Sequence, residues 1–234
     1  MPRSTLTPEQ IVRSAIALLD EEGLDGLNMR ALGKRLDAAA TAVYWHIKTK
    51  DELVRLAADA VWSEVDLPDP GRSGWREAAA ATARSLHATL IRHPWLSQAF
   101  GGYLLYGPGK SRHDDHTLAV YESAGFAPAD ADRAAATMLM YVLGSALAPA
   151  AQVALNRRLA AGGTDAARSL DEAMDHAVEI ARGFPRLRDR IDMPAADYAA
   201  TPENSFEFGL RAILDGFEAE LGKRAENGGA SGAS

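Results

Sequence analysis

The stretch from residue 28 to residue 50 gathers basic and aromatic side chains in an otherwise acidic chain. It carries five basic residues against one acid, Asp37, which gives +4 in a chain of 234 residues whose formal net charge is −7. The five basic residues are Arg30, Lys34, Arg35, Lys48 and Lys50. A local basic stripe in an acidic protein is an electrostatic footprint suited to phosphate. The competing interpretation is a solvated surface that these charges merely decorate, and charge by itself does not separate the two.

The spacing of apolar residues predicts two helices joined by a tight turn in this stretch. Leu32 and Leu36 lie four apart, so they share the inner face of the first helix. Val43 and Ile47 lie four apart in the second helix and face the same core. Asn28 is a favourable N-cap immediately before the first helix.

Tyr44, Trp45 and His46 follow one another, so they cannot all share one helix face. A short helix that shows Tyr44 and His46 outward beside a basic stripe favours a reader of a DNA groove over a plain surface. This block, followed by Lys48 and by residues 50–53 (KDEL), strongly resembles the helix-turn-helix region of TetR-family transcriptional repressors.

The resemblance also takes in residues 23–27 (GLDGL) and 29–32 (MRAL). It covers about the first 60 residues closely, and the rest matches in helical layout and in short pieces such as RHPWL at 92–96. It implies an all-α fold with an N-terminal three-helix helix-turn-helix DNA-binding head and a C-terminal helical body for ligand binding and dimerisation.

The resemblance also implies which residues meet DNA. Arg30 matches a base-contacting position, and an Arg can grip guanine O6 and N7 with two hydrogen bonds. The start of the second helix would lie against base edges, while Tyr44, His46 and Lys50 match phosphate-facing positions that set register. Trp45 is assigned to the core of the head. The implied DNA-binding residues are Asn28, Arg30, Ala40, Thr41, Ala42, Tyr44, His46, Lys48 and Lys50.

Two residues depart from the family pattern. Asp37 stands in the turn where the family has Gly, and Asp tolerates the left-handed conformation at a cost of ~1 kcal/mol. Ala39 stands where the family often has a capping Ser or Thr, so the recognition helix starts without a side-chain cap.

The chain order predicts three regions and a helix that links the first two. Residues 1–50 form the DNA-binding domain, helix 51–66 links it to the body, 67–224 form the ligand-binding and dimerisation domain, and 225–234 form a disordered tail. Capping boxes are predicted at Thr7–Gln10 and Thr49–Glu52, and Gly23 is expected to stop the first helix. The body helices are predicted at 75–93, 94–100, 112–124, 128–159 with a kink at Pro149, 165–182 and from Thr201 onward, with loop at 183–201.

Two parts of the body are expected to make the dimer interface. The last helix carries an apolar stripe at helical spacing, made by Phe206, Leu210, Ile213, Leu214, Phe217 and Leu221. It would pair with part of 129–154, so that two helices from each protomer form a four-helix interface.

Large aromatic and sulfur-containing residues of the body are candidates for lining an effector pocket. For any one of them, ordinary core packing is the better interpretation. The candidates are Trp95, Phe100, Tyr103, Tyr106, Met138, Tyr141 and Met174.

His113 and His116 lie three apart on a predicted helix, with Asp114 and Asp115 between them. That spacing could hold a metal, but a solvated polar face is the favoured interpretation. No metal site and no cofactor are predicted.

Composition limits the classes of protein. The chain has no Cys, which excludes disulfides, thiol chemistry and cysteine-based metal sites. The sequence is expected to contain no apolar run of the ~18–20 residues that span a bilayer, and its polar N-terminus lacks a signal-peptide core. We therefore expect a cytoplasmic protein with no membrane partner.

Two classes of function remain. The first is a homodimeric regulator, a repressor that binds an inverted-repeat operator in double-stranded DNA and is released by a small-molecule effector. The alternative is a ligand-binding all-helical protein or enzyme without DNA function. A search for a nucleophile elbow, a phosphate loop, paired carboxylates or zinc ligands finds no convincing set, so we do not expect an enzyme.

Overall fold

The computed structural model describes residues 6–193 and 202–231, and within those ranges every regular element is a helix. The head contains α1 Pro8–Gly26, α2 Met29–Arg35 and α3 Ala40–His46, and the linking helix is α4 Lys50–Trp62. The body contains α5 Pro70–Ser73, α6 Trp75–Arg92, α7 Pro94–Ala99, α8 Pro108–Ser123, α9 Pro128–Arg182, α10 Pro185–Ile191 and α11 Pro202–Ser231. The all-α fold class is confirmed.

The first helix begins and ends where the sequence predicts. Thr7 Oγ1 accepts a hydrogen bond from the Gln10 N–H at 3.3 Å, and the Gln10 side chain accepts one from the Thr7 N–H at 3.0 Å. Gly23 leaves the helical region with φ 74°, a left-handed conformation that suits glycine, and one further turn reaches Gly26.

The head is held by apolar side chains from α1, α2 and α3. Leu36 is only half-buried, and its partner Leu32 is fully buried. The fully buried side chains of the three helices include Ile11, Leu19, Leu32, Val43 and Ile47, the last at the C-cap of α3. The two four-residue spacings that predict the inner faces of α2 and α3 therefore point to the right core.

The start of α4 differs in one detail from the predicted capping box. Thr49 Oγ1 accepts from the Glu52 N–H at 3.0 Å, as expected. The Glu52 carboxylate, however, accepts from the Lys48 N–H at 2.9 Å instead of from Thr49. The long Glu side chain reaches one residue further back, so it fastens the loop between α3 and α4 to the new helix.

The body is built on α6, α8 and α9, which pack against one another, and α8 also packs on α4. Helix α8 begins at Pro108, four residues before the predicted start, because proline suits the first position of a helix. Helix α9 runs from Pro128 to Arg182 and contains both predicted helices. It leaves helical dihedrals at Gly163, with φ 64°, and not at Pro149, which lies inside the helix.

Two segments are more helical than the sequence predicts. Within the expected loop 183–201, residues Pro185–Ile191 form α10, again opened by a proline; residues 194–201 lie outside the described residues. Helix α11 continues to Ser231, through most of the tail expected to be disordered, and residues 232–234 lie outside the described residues. Ala225 and Glu226 are strong helix formers that extend α11; nothing in the structure explains its passage through Gly228 and Gly229.

The expectation that no apolar run is long enough to cross a bilayer is wrong. Residues Pro128–Arg157 are long and apolar enough by length and composition, with a mean hydropathy of 1.6 in the most apolar window. One side of this segment, including Ala134, Met138, Val142 and Ala146, is buried in the body. A core helix of a globular protein passes the same test, and this one packs on α6 and α8.

The apolar stripe of α11 packs within its own chain instead of facing a partner. Phe206, Leu210 and Leu214 are buried, against α6 and α9. Other large apolar side chains of α11 and α9 are exposed to solvent. They are Phe208 on α11 and Met140 and Leu147 on α9. The buried part of the stripe predicted for dimerisation therefore belongs to the core of the protomer.

Candidate nucleic-acid interface and ligand cavity

Helix α3 presents four neighbouring side chains to solvent. Thr41, Tyr44, Trp45 and His46 are exposed, while Val43 is buried. The assignment of Trp45 to the core is wrong, since its side chain is 82% exposed. At 100° per residue, Trp45 lies 200° around the helix from Val43 and therefore on the opposite side.

Helix α2 packs against α3 and exposes Arg30 to solvent. Asn28 caps the helix by accepting from the Ala31 N–H at 2.9 Å and donates from Nδ2 to the Gly26 carbonyl at 3.1 Å. Asn28 therefore fixes the start of α2, and Arg30 extends from the first turn, exposed to solvent. Arg35 is held by a two-pronged ion pair with Glu21 of α1, so it braces the head.

The turn between α2 and α3 keeps the two helices close. Asp37 adopts φ 48°, the left-handed conformation expected of it. A Cβ on Gly33 would lie 2.8 Å from the Ala38 carbonyl oxygen, so a glycine is required where α2 meets the turn. Ala39 is the N-cap of α3 without a side-chain hydrogen bond, as predicted. Ala40 and Ala42 behind it are half-buried, so Thr41 is the exposed residue of the first turn.

The two lysines after α3 already hold backbone carbonyls. Lys48 Nζ donates to the carbonyls of Tyr44 at 3.0 Å and Trp45 at 3.1 Å, and lies 5.6 Å from the Trp45 ring centroid. Lys50 Nζ donates to the Leu24 carbonyl at 2.6 Å, which ties α4 to the end of α1. Both ammonium groups add positive charge to this edge of the head while they position α3 and α4.

A small cavity lies between α6, α8 and α9. Three small residues on one face of α6, Ala79, Thr82 and Ala83, leave the space open beside Leu86. Its walls are formed by Ala79, Thr82, Ala83, Leu86, His113, Thr117, Val120, Tyr121, Ala135, Met138, Leu139 and Val142.

Of the seven predicted pocket residues, Met138 lines this cavity. Trp95 is buried at the base of the head, where Nε1 donates to Asp20 Oδ1 at 2.8 Å. Phe100 packs edge-on against Trp62 with ring centroids 6.0 Å apart. Tyr141 donates its hydroxyl to the Phe206 carbonyl at 2.7 Å, anchoring α11.

The other three predicted pocket residues also lie away from the cavity. Tyr103 and Tyr106 border a separate surface groove, where Arg55 lies 4.8 Å from the Tyr106 ring centroid. Met174 lies exposed on the second part of α9. The predicted set omits Thr82, His113 and Tyr121. The small residues at i, i+3 and i+4 on α6, Ala79, Thr82 and Ala83, are the signal that could have found this face.

His113 does not belong to a solvated face, so that interpretation is wrong for it. It is 4% exposed, and its ring lies 4.7 Å from that of Trp62 in α4. His116 is half-buried, and burial lowers its pKa. Within residues 6–193 and 202–231 no group of three or more His, Asp or Glu is placed to hold a metal ion.

The first turn of α8 is clamped to α4. The Lys110 N–H donates to Asp59 Oδ1 at 3.0 Å, and Arg112 Nη2 donates to the Ser63 carbonyl at 3.1 Å. A Cβ on Gly109 would lie 2.3 Å from the Asp59 carbonyl oxygen and 2.4 Å from Ser63 Oγ. The helix that lines the cavity through His113 is therefore in direct contact with the helix that leads to the head.

A second junction joins head and body around Asp20 of α1. His93 Nδ1 lies 2.8 Å from Asp20 Oδ1, and its Nε2 lies 3.4 Å from Glu64 Oε2 just beyond α4. Arg157 Nη2 of α9 donates to the Asp20 carbonyl at 3.1 Å. Burial works against a charge on His93, but hydrogen bonds and attraction from Asp20 and Glu64 outweigh it and raise the pKa of His93.

Two family models match the chain and together cover most of it. "Bacterial regulatory proteins, tetR family" matches residues 11–57, and "Tetracyclin repressor-like, C-terminal domain" matches residues 67–221. The first match contains α2, α3 and most of α4, and the second contains all three walls of the cavity.

Individual relatives agree with the family models. An HTH-type transcriptional regulator of Saccharopolyspora erythraea is 40% identical over 140 residues, which span 60% of this chain and 59% of that regulator. The tetracycline repressor protein class A of Escherichia coli is 32% identical over 213 residues, 90% of each chain. The crystal structure of Streptomyces coelicolor ActR with actinorhodin superimposes with a TM-score of 0.72 at 26% identity, covering 94% of this chain and 98% of that one.

Proposed function

The chain belongs to the TetR family of bacterial regulatory proteins, and from this we propose the way in which its own residues read DNA and respond to a ligand. It is a sequence-specific DNA-binding regulator of the effector-responsive repressor class, acting as a homodimer on an inverted-repeat operator. What remains to be assigned is which side chains meet DNA, where the effector binds and how the two sites communicate.

The exposed surface of α2 and α3 supports a division between readers and anchors. Arg30 and Thr41 are exposed at the N-terminal ends of the two helices, where recognition helices meet base edges. Tyr44, His46 and the lysines at 48 and 50 lie toward the other end and would fix register on phosphates. Ala40 and Ala42 offer only methyl groups, which suit a thymine methyl contact. Asn28 acts through the cap that positions Arg30.

The cavity between α6, α8 and α9 is the effector site that we propose. The bound actinorhodin of ActR, a protein of the same fold, supports a ligand site in the body. A ligand there would touch His113, whose ring packs on Trp62 of α4. The hydrogen bonds of Lys110 and Arg112 to α4 make α8 and α4 move together, so occupancy of the cavity would shift the heads toward a spacing that no longer fits DNA.

The relatives named above are regulators, and we take this chain to act without catalysis in the cytoplasm. We retain residues 1–50 as the DNA-binding domain, 51–66 as the link and 67–224 as the body. The alternative, an all-helical ligand-binding protein or enzyme without DNA function, does not explain the basic surface around Arg30.

The single observation that carries the DNA-reading proposal is the exposed surface of Arg30, Thr41, Tyr44 and His46 on a rigid, buried core. Selection of bound duplexes from a randomised DNA pool, at about 0.15 M salt, tests it. We expect recovery of an inverted repeat whose half-sites lie ~34–36 Å apart or a multiple of that distance. Arg30→Ala should lose preference at one position of each half-site, whereas Arg72→Ala, which removes the same charge from the body, should select the native sequence. If the native dimer selected duplexes with no enriched sequence, the proposal would be contradicted.

A further inference from the structure

Asp20, near the end of α1, is the residue through which several parts of the body hold the head. Its Oδ1 accepts a hydrogen bond from Trp95 Nε1 of α7 at 2.8 Å and lies 2.8 Å from Nδ1 of His93, between α6 and α7. Its carbonyl accepts a hydrogen bond from Arg157 Nη2 of α9 at 3.1 Å. We call Asp20 and these partners the Asp20 junction. Because His93 and Trp95 are buried, the junction belongs to the packed interior of the molecule.

The guanidinium of Arg157 lies against Gly23, where α1 leaves helical dihedrals. A Cβ on Gly23 would lie 2.6 Å from Arg157 Nη1, so this position needs glycine for the space as well as for its φ of 74°. The chain then reaches Gly26, whose carbonyl accepts from the Asn28 side chain that caps α2. The body therefore holds the segment that leads directly into the helix carrying Arg30.

The Asp20 junction acts on a different helix of the head from the clamp between α8 and α4. The clamp holds Asp59 and Ser63 of the linking helix and its end, whereas the junction holds α1. A head held through α4 alone could turn about that helix. Since α1 packs against both α4 and α2, a contact with the body on α1 removes this freedom from the whole head.

A fixed head has consequences for the operator that a homodimer can bind. Helix α9, which carries Arg157, packs on α6, α7, α8 and α11, so the junction refers the head to the main helix of the body. When two bodies are joined in a dimer, fixed heads stand at one distance and one angle to each other. One added base pair moves the half-sites apart by about 3.4 Å and turns one of them by about 35° around the DNA axis. A fixed head cannot follow that change, whereas a head that turns on its body can.

We infer that Asp20 and Arg157 are positioning residues for operator binding: they hold each head in the orientation that selects the spacing between the two half-sites. The exposed side chains of α2 and α3 select the bases, and neither Asp20 nor Arg157 belongs to that surface. The inference rests on the homodimer and the inverted-repeat operator of the proposed function. Loss of a junction contact leaves the reading surface intact and allows the head to turn.

Operators that differ only in spacing test the inference on the full-length protein. The selected inverted repeat is lengthened or shortened by one base pair at its centre, and binding is measured by anisotropy of labelled duplexes at about 0.15 M salt. We expect Arg157→Ala to reduce the preference for the selected spacing about 3–10-fold, the effect of one hydrogen bond, with unchanged preference among single-base variants of the half-site. Arg133→Ala, which removes the same charge from an exposed position of α9, should keep the native spacing preference.

Variants of Asp20 test the other side of the junction. Asp20→Ala removes the acceptor that His93 and Trp95 share, so it should reduce the spacing preference in the same way. Asp20→Asn keeps an acceptor oxygen for Trp95 Nε1 and should restore most of the preference. A purely structural role would weaken binding to every operator by the same factor, so the ratio between spacings is the informative readout. Arg157→Ala leaves neither buried ring without its acceptor, so it provides the test even if Asp20→Ala does not fold.

A measurement without DNA separates this inference from the proposed function. The chain has no cysteine, so a nitroxide on Lys34→Cys of α2 reports the distance between the two heads of the free dimer. Adding Arg157→Ala should broaden the distance distribution, and adding Arg133→Ala should not. A protein that selects no inverted repeat would contradict the proposed function, and the width of this distribution would still decide the inference. A native spacing preference in folded Arg157→Ala, a changed base preference within the half-site, or a distribution no broader than the native one would each overturn it.

Discussion

We propose that sequence discrimination depends on a few exposed side chains, of which Arg30 is the longest and the only cation at the N-terminal ends of α2 and α3. We expect Arg30→Ala to cost ~1–3 kcal/mol at the one base pair that it contacts and little at other positions. The measurement is competition binding with a set of single-base operator variants. A uniform loss of affinity across all variants would mean that Arg30 is a phosphate anchor and not a reader.

Lys50 combines an electrostatic role with a structural one. Its ammonium group is bonded to the Leu24 carbonyl, so Lys50→Ala removes both a charge from the DNA surface and a tie between α4 and α1. We expect binding to weaken evenly across operator variants, with a lower dependence on salt, and the free energy of unfolding to fall by ~1 kcal/mol. Salt titrations of operator binding and urea unfolding measure the two effects. A loss of affinity confined to particular base pairs would contradict the assignment of Lys50 to phosphate contact.

At the residue scale, the sequence predicts which side chains of a helix face the core better than it predicts where a cavity lies. The spacing of Val43 and Ile47 fixes the inner face of α3, and the same geometry applied to Trp45 would have placed it outside. Large side chains mark the predicted pocket residues, but the cavity lies where α6 carries small residues such as Ala79 and Ala83. Small residues on α6 indicate where space can remain, but its extent depends on how three helices approach one another, which the pattern of one helix does not encode.

Contact between α8 and α4 is the element-scale link of the proposed mechanism. Gly109→Ala places a methyl group within 2.3 Å of the Asp59 carbonyl, so the two helices must separate. We expect a loss of ~1–3 kcal/mol in the free energy of unfolding, measured in urea. Gly216→Ala on α11, where a Cβ would meet nothing within 4 Å, should instead stabilise by ~0.5–1 kcal/mol. Equal stability of native protein and Gly109→Ala would rule out a tight clamp.

The junction of α1 with the body should depend on pH through His93. Asp20 and Glu64 raise the pKa of His93 above its usual 6.5, so its charged form is stabilised by folding. That contribution is fully present below the pKa of the unfolded chain and is lost as pH rises through the higher folded pKa. His93→Gln should therefore lower stability more at about pH 6 than at about pH 9 in urea unfolding.

A matched control for this pH effect is His176→Gln, which removes an exposed histidine from α9. Its unfolding free energy should track that of the native protein at both pH values. If His93→Gln showed the same loss at both, the junction would owe its strength to packing and neutral hydrogen bonds instead of charge.

At the element scale, capping and glycine signals predict helix ends well, as at Thr7 and Gly23. They fail where a proline can open a helix: α8 starts at Pro108, and α10 at Pro185 within a predicted loop. Proline fits the first turn of a helix and also interrupts a helix, and only the surrounding packing decides between these outcomes.

Across the whole molecule, apolar faces are divided between the core and a partner. The sequence assigns the apolar stripe of α11 to dimerisation, but the stripe packs in the core of its own protomer. Apolar residues at helical spacing are expected for a helix buried against α6 and α9 as well as for one buried against a partner. Phe208, 67% exposed on α11, and Met140 and Leu147 on α9 remain outside. We propose that these three side chains meet their copies in the homodimer, which sets the distance between the two heads.

The distance between the two heads tests the central claim most directly. The chain has no cysteine, so Lys34→Cys on α2 carries a single nitroxide label per protomer. Pulsed dipolar spectroscopy on the operator complex should give one narrow distribution, consistent with recognition helices ~34–36 Å apart or a multiple of that spacing. Phe208→Asp, which charges the proposed dimer face, should abolish it. Labelled Lys34→Cys protein that gives no dipolar signal, or a broad distribution unchanged by operator, would contradict the account of two coupled heads reading adjacent grooves.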